Sequence, residues 1–399
     1  MQEGRLDAEQ VLCRRLSVFA GSFTLEAAEV VCAGEGIDES EVAAMLSRLV
    51  ERSLVAIDAQ EPRMGYRLSE PLIQEAREQL TGSGETDTVQ ERLADYCVAL
   101  AEHAHRELLG PRRVPWLDLL EREHANLRAA LSWFAKRGEA EQGLRLASAL
   151  RQFWSGEAHI REGREWLGKF LAFPQATEGT ARRAFALDVA GGLALCQGDY
   201  AAARPMQEES LALYRESDDR RGVGYALIHL GHTARGQGDD VEARHLYEES
   251  LEVFRQLDIK GDIAHSLANL GNVAVDAGDY ATARALIADG LAIYREVGNV
   301  WAMVHMIGNT AGVVACLGQP ERALRLAGAA AAQREAKNVP LAPDLQARLE
   351  RLLTPARQAL DEDARAAAWA EGRSMTLEEA VAYALEISSP LVEAPEWPS

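Results

Sequence analysis

The chain has 399 residues, of which 47% are hydrophobic and 26% charged, with a formal net charge of −20 at pH 7. That length supports two or three cooperative units, and the acidic excess disfavours phosphate backbones while favouring basic partners. No amino-terminal apolar stretch reads as a signal peptide, and Cys13, Cys32, Cys97, Cys196 and Cys316, with no Cys-x-x-Cys pair, predict free buried thiols in a reducing cytoplasm.

Over residues 1–80, Asp7 is placed to cap a helix to about Phe19, Thr24 a second to about Cys32, and Asp38 or Ser40 a third to about Arg52. Leu54-Val55-Ala56-Ile57 and Tyr66-Arg67-Leu68, joined through Glu61-Pro62-Arg63 and Gly65, read as a short hairpin, and Pro71 opens a helix to Leu80. Three helices and a two-stranded wing describe a winged-helix domain. Yet residues 1–100 hold nineteen Asp and Glu against nine Lys and Arg, whereas groove binding needs a cationic face. Arg48 and Arg52 on the third helix are surrounded by Glu39, Glu41 and Glu51.

Thr81-Gly82-Ser83-Gly84-Glu85-Thr86 reads as a linker. Helices at about Thr88–Leu108 and Pro115–Arg137 follow, the second with Trp116, Leu119, Leu120, Leu127, Ala130, Leu131 and Phe134 on one side. They form a helical adaptor, 81–140, that covers the first repeat.

From 141 to 338 the sequence repeats every forty residues: Gly198, Gly238, Gly278 and Gly318 share one phase, Ala203, Ala243, Ala283 and Ala323 a second, and Leu171, Leu211, Leu251 and Leu291 a third. Within one unit, Leu227, Leu230 and Ala234 have the spacing of a buried helical stripe, Gly238 closes that helix, and Asp239 caps the next. Gly231 and Ala243 allow close approach, and Tyr247 is expected to fill the space between neighbouring units. The unit resembles the tetratricopeptide repeat through Leu230-Gly231, Gly238, Ala243 and Tyr247, and through Leu270-Gly271, Gly278 and Ala283. The resemblance implies an α-solenoid of helical hairpins, with six residues beyond the usual unit lengthening the second helix and its exit loop. The uncharged run Val297–Pro320 reads as a buried repeat helix, not a membrane span. Residues 339–399 read as a helical cap and tail, with dimerisation as the other option. Leu345, Leu349, Leu352 and Leu353 lie on one of its helices, Leu377, Ala380, Val381 and Leu385 on another.

The candidate site lies on the first helices, which line the concave surface of tetratricopeptide arrays. Register places Tyr225, His229, His232 and Arg235 there from one unit, His265, Asn269, Asn272 and Val275 from the next, and His305, Asn309 and Gly312 from the third. The unit before contributes Phe185, Asp188 and Gly192. Asparagine offers donor and acceptor, which suits an extended peptide or a polar small molecule. The same side chains could equally bond one another between repeats.

Catalytic patterns are weak. Gly163-Arg164-Glu165-Trp166-Leu167-Gly168-Lys169 fits a phosphate-binding loop until Phe170, which stands where the hydroxyl should be, and it falls inside a predicted helix. Glu121 and His124 form a lone Glu-x-x-His and read as a surface or intrahelical pair, since a metal centre in a bundle needs further inward ligands. No cofactor or metal is expected, and no residue is nominated as a nucleophile.

Several longer phrases are similar to one family: the run from Arg14 through Phe23 to Glu29, then Leu46-Ser47-Arg48-Leu49-Val50-Glu51-Arg52-Ser53-Leu54-Val55, then the run Leu120–Leu131, and Ala368-Trp369-Ala370-Glu371-Gly372-Arg373. They resemble the carboxyl-terminal half of bacterial signal-transduction ATPases of the STAND class, the LuxR and AfsR type of regulator. The resemblance implies an ATPase module before the winged helix, a repeat array that senses a partner, and often a terminal DNA-binding module. It makes this chain the sensor and coupling half alone, whether a stand-alone protein or a fragment. The family's nucleotide-contacting Met-His-Asp falls at Leu68-Ser69-Glu70, which lacks the histidine, and Glu70 more simply caps the helix at Pro71. The resulting expectation is a cytoplasmic, non-catalytic regulatory module that binds a peptide, protein or small effector in the repeat groove. An ATPase module in another chain is a possible partner, and a membrane is not. The alternative is a transcriptional regulator that binds DNA through the winged helix.

Overall fold

The computed structural model describes residues 2–58, 65–108, 110, 112–156, 158–174, 181–337, 341 and 343–386. They divide into two compact units, Met1–Leu213 and Tyr214–Ser399. Among the described residues no helix is long and apolar enough to cross a membrane.

The first unit opens with α1 (Gln2–Leu16), α2 (Leu25–Cys32) and α3 (Glu39–Glu51), then an antiparallel pair, β1 (Val55–Asp58) and β2 (Gly65–Leu68), with Val55 opposite Leu68. Thr24 caps α2 by accepting from the Ala27 N–H, and Asp38 caps α3 from Ser40. Phe23 bridges to Tyr66 and adds a third extended segment that the residue pattern did not show. The wing turn Glu61-Pro62-Arg63 lies outside the described residues.

Helix α4 (Glu70–Ser83) starts one residue before the expected position. Ser69 is its N-cap and Glu70 its first residue, so Glu70 supports the helix dipole without capping it. The expected linker is a fixed corner: α4 runs to Ser83, Gly84 turns at φ 77°, and α5 (Thr86–Glu107) begins two residues later. Glu85 between them accepts from Arg14 and Arg15. Helix α6 (Arg113–Arg137) packs along α5, and α7 (Ala140–Ala149), α8 (Arg151–Trp154), α9 (Ile160–Leu171) and α10 (Ala181–Cys196) complete this layer, with α11 (Tyr200–Glu216) crossing into the second unit.

The second unit continues in forty-residue hairpins: α12 (Arg220–Gly236) with α13 (Asp240–Gln256), α14 (Lys260–Asp276) with α15 (Tyr280–Glu296), and α16 (Val300–Cys316) with α17 (Pro320–Lys337). Gly238, Gly278 and Gly318 adopt the left-handed conformation that stops each first helix, and Asp239 and Asp279 cap the second by accepting from Glu242 and Thr282. A matching series went unnoticed in the sequence: Asp218, Asp258 and Gly298, also forty apart, hold positive φ where each second helix ends. Both helices of a unit have seventeen residues, α12 and α13 alike. The extra length is therefore shared between them, and the exit loop, residues 257–259, is no longer than the internal turn, 237–239.

The repeated small residues act at crossings. A Cβ on Gly231 would stand 2.5 Å from the Tyr247 ring, so Tyr247 packs within its own hairpin, in a cluster that also holds Leu267 and Leu270 of the following unit. Ser250 Oγ donates to the Gly224 carbonyl at 3.0 Å, and in the first unit Ser210 donates to Ala184 at 2.8 Å, which accounts for the serine shared by Glu208-Glu209-Ser210-Leu211 and Glu248-Glu249-Ser250-Leu251. Ala243, Tyr247 and Phe254 are fully buried.

The regular succession breaks after α17. Where the next first helix would stack on α17, α18 (Pro343–Gln358) instead lies chiefly against α16, while α19 (Glu362–Arg373) runs along α17. Gly328 and Gly372 permit that second contact, since a Cβ on Gly372 would collide with the Arg325 carbonyl. Helix α20 (Leu377–Leu385) closes on α15, α16 and α17 after a Thr376–Glu379 capping box.

Candidate functional site

First helices present their polar stripe at three- and four-residue spacing, and the structure sorts the candidate residues into three sets. The first set ties neighbouring repeats. Tyr225 donates its hydroxyl to Asp262 Oδ1 at 2.7 Å, and Arg235 donates to Asp276 Oδ2 at 2.7 Å. Both therefore spend their polar groups on the following first helix, bonding between repeats.

The second set is a histidine cluster. The His232 ring lies 6.4 Å from His229 and 6.5 Å from His265, and His232 Nδ1 bonds the Tyr247 hydroxyl at 2.7 Å. Burial first, then His229, His265 and Arg235, hold His232 well below the ordinary imidazole range. His305 stands apart, stacked on Trp301 at 5.9 Å, and is lowered by burial and by Arg334 and Arg348. Both rings are neutral at pH 7. As pH falls below about 6.5 the unfolded chain takes up these protons before the folded one does. The carboxyl-terminal unit should therefore lose thermal stability on acidification from about pH 7.5 to 5.5, and His232→Gln should flatten that slope in calorimetry. An unchanged slope would show that His232 does not resist protonation.

The third set faces α18. Asn272, Val275, His305, Gly308 and Asn309 line one cavity with Leu345, Arg348, Leu349 and Leu352 of α18. Arg348 donates to Asn272 Oδ1 at 2.8 Å, to the Asn272 carbonyl at 3.1 Å and to Asp276 Oδ1 at 2.7 Å. Gly312 on α16 opens room for a leucine, since a Cβ there would meet Leu352 at 2.8 Å, whereas a Cβ on Gly308 would make only ordinary contacts, with Arg334 at 3.4 Å and Leu349 at 3.9 Å. The chain thus lays its own helix across part of the candidate face. The sequence held the signal in Gly312, but nothing local says which leucine fills the space. Asn269 and Asn309 each keep a buried side-chain Nδ2 with no hydrogen-bond acceptor among the described residues.

Phe185, Asp188 and Gly192 belong to the first unit. There Phe185 meets His105 edge-on at 6.0 Å and buried Asp188 lies 3.9 Å from Arg151. The imperfect phosphate loop, Gly163–Lys169, is inside α9, as its sequence implied. Glu121 and His124 do not pair with each other. Glu121 reaches His159 at 2.8 Å and His124 reaches Glu162 at 3.0 Å, so both bridge from α6 to the start of α9. Cys32 and Cys97 are buried, and burial pushes the Cys32 thiol up to about 12, but Cys196 is exposed, against the expectation of buried thiols throughout.

Residues 182–256 and 263–297 match family models described as tetratricopeptide repeat, and residues 6–81 match one described as a winged helix-turn-helix domain. The array is a tetratricopeptide solenoid behind a winged helix. Proteins of Mycobacterium tuberculosis and Mycobacterium bovis, provisionally named HTH-type transcriptional regulators, are 39% identical over 191 residues, covering 45% of this chain and 21% of theirs. The chain therefore spans about a fifth of the length of these relatives. Among solved structures, BtubC (BKLC) from P. vanneervenii is 18% identical with TM-score 0.43, covering 62% of this chain and 94% of that one. A Pyrococcus horikoshii STAND protein with a tetratricopeptide-repeat sensor is 14% identical with TM-score 0.45, covering 95% of this chain and 64% of that one.

Proposed function

We propose that this chain is the non-catalytic sensor part of a STAND-class regulator of the LuxR/AfsR type, and that its tetratricopeptide face binds a helical segment of a protein partner. The observation that carries the reading is the seating of α18. Leu345, Arg348, Leu349 and Leu352, at the i, i+3, i+4 and i+7 positions of one helical face, meet the Asn272, Gly308, Asn309 and Gly312 side of α14 and α16. A groove that accepts leucines and clamps a guanidinium between an amide, a carbonyl and Asp276 has the chemistry to take a similar segment in trans. The Asn309 amide, which lines this groove and has no acceptor among the described residues, adds a donor that a ligand carbonyl would satisfy, worth about 1–3 kcal/mol when left buried and unpaired. In this reading α18 competes with the partner, and an ATPase module, in this or another chain, receives the signal.

Binding of DNA through α3 has less support. Arg48 and Arg52 donate to Glu9 of α1 at 2.6 and 2.8 Å, which occupies the two cations the helix offers, while Glu41 and Glu51 remain exposed.

The test uses a synthetic peptide of residues 343–358 added to the full chain carrying Arg348→Ala and Leu352→Ala, which loosens the resident helix. Saturable binding is expected, weakened at least about tenfold when Asn272→Ala and Asn309→Ala are added, equivalent to one lost charge-assisted contact. No binding, or equal binding by the groove variant, would reject this reading. Tyr225 is left intact because its truncation would also untie two repeats.

A further inference from the structure

A second constellation lies in the first unit. On α6, Glu121 and His124 are three residues apart and so share a helix face, and at the start of α9 His159 and Glu162 repeat the spacing in reversed order. The two pairs face each other: Glu121 Oε2 is 2.8 Å from His159 Nε2, and His124 Nε2 is 3.0 Å from Glu162 Oε2. One ligand atom each from Glu121, His124 and His159 fall within 4.8 Å of one another. The imidazoles stand 4.8 Å apart at 83°, and aromatic rings wall them in: His159 stacks on Phe153 at 4.4 Å, and His124 meets Phe153 and Trp154 edge-on.

His124 is 8% exposed, and its buried Nε2 has no hydrogen-bond partner among the described residues although a carboxylate oxygen lies beside it. When its Nε2 carries the lone pair, that lone pair and the carboxylate repel. A cation between them turns the repulsion into coordination. Arg128 holds the Glu162 carboxylate, donating to it at 2.6 Å through two nitrogens.

We propose that Glu121, His124, His159 and Glu162 form a site for one divalent first-row transition metal, Zn²⁺ foremost, that clamps α9 to α6. Two imidazoles and two carboxylates are a borderline donor set that favours zinc over magnesium or calcium, and four protein ligands make a closed, structural site. Tetrahedral coordination places ligand atoms about 3.4 Å apart, so Glu121, His124 and His159 stand within reach of one ion, while Glu162, beside His124 but outside that 4.8 Å group, completes the set by turning from Arg128 toward it. The lone Glu-x-x-His of the sequence thus acquires the inward partners it lacked, thirty-eight residues downstream in each case.

The experiment takes the full chain, stripped with chelator, and titrates Co²⁺ as a spectroscopic probe, followed by Zn²⁺ in competition and by calorimetry. One equivalent of Co²⁺ should bind with the visible absorption of tetrahedral cobalt, be displaced by Zn²⁺, and raise the melting temperature of the first unit. His159→Gln, at a half-buried position, should weaken binding at least thirtyfold while the apo protein keeps its helical circular dichroism. Glu121→Gln should weaken it less. Arg128→Gln, which frees Glu162, should leave binding as tight or tighter. Binding unaffected by His159→Gln, a stoichiometry other than one, or equal affinity for Mg²⁺ would overturn the site. None of these results depends on the peptide groove.

Discussion

Replacing Arg15 with methionine should destabilise the winged-helix region by about 3–5 kcal/mol, the usual result of removing one partner from a buried charged network. Arg15 is 2% exposed and joins three parts of the fold. Its guanidinium donates to the Cys32 carbonyl at 2.9 Å and the Glu35 carbonyl at 3.0 Å, and it also binds the Glu85 carboxylate. Arg92 of α5 reaches the neighbouring Ala33 carbonyl. Two arginines from other helices therefore satisfy carbonyls at and beyond the end of α2. Methionine keeps the volume but leaves those carbonyls without donors. Amide hydrogen exchange should show α2 and the α4–α5 corner opening together in the variant, whereas loss confined to residues near 15 would refute the proposed coupling. Glu85→Gln should cost less, because the backbone bonds of Arg15 remain.

Asn126→Leu should cost about 3 kcal/mol, the sum expected for several buried polar groups left unpaired. Asn126 is fully buried on α6. Its Oδ1 accepts from the Ala20 N–H at 2.9 Å, and its Nδ2 donates to the Ser22 carbonyl at 2.8 Å and to Glu123 Oε2 at 2.7 Å. One side chain thus ties the α1–α2 turn of the winged helix to the adaptor. Leucine fills the space but strands an amide, a carbonyl and the carboxyl of Glu123, which burial already raises to about 7. The measurement is the denaturant midpoint together with exchange at the Ala20 amide. A shift below about 1 kcal/mol would mean that the adaptor holds the winged helix by apolar packing alone.

Much of the architecture was legible because it is periodic. Gly238 and its counterparts at forty-residue intervals stop helices by a local rule, since only a residue tolerant of positive φ fits, and Asp239 caps the next helix by an equally local bond. The winged helix was legible for the same reason, through Thr24, Asp38 and alternating strand residues. The candidate stripe was legible as a set of positions but not as a set of free groups. Tyr225 and Arg235 turned inward to Asp262 and Asp276, which sequence spacing places on a neighbouring helix without saying that they bond. The Thr81–Thr86 stretch misled through its composition: small polar residues signal a linker only when nothing grips them, and Arg14 and Arg15 grip Glu85.

Taken alone, the order of residues determined where the repeat helices turn, the forty-residue period of each hairpin, and which side of each first helix is polar, because these depend on atoms within four residues of one another along the chain. Tertiary structure alone decided that α18 leaves the stacking register to lie against α16, that Glu121 and His124 each face a partner on α9, and that Asn126 holds the winged helix. An amphipathic helix with leucines three and four apart looks the same whether it extends a stack or fills a groove. Only the space opened by Gly312, and the acceptors waiting at Asn272 and Asp276, distinguish the two.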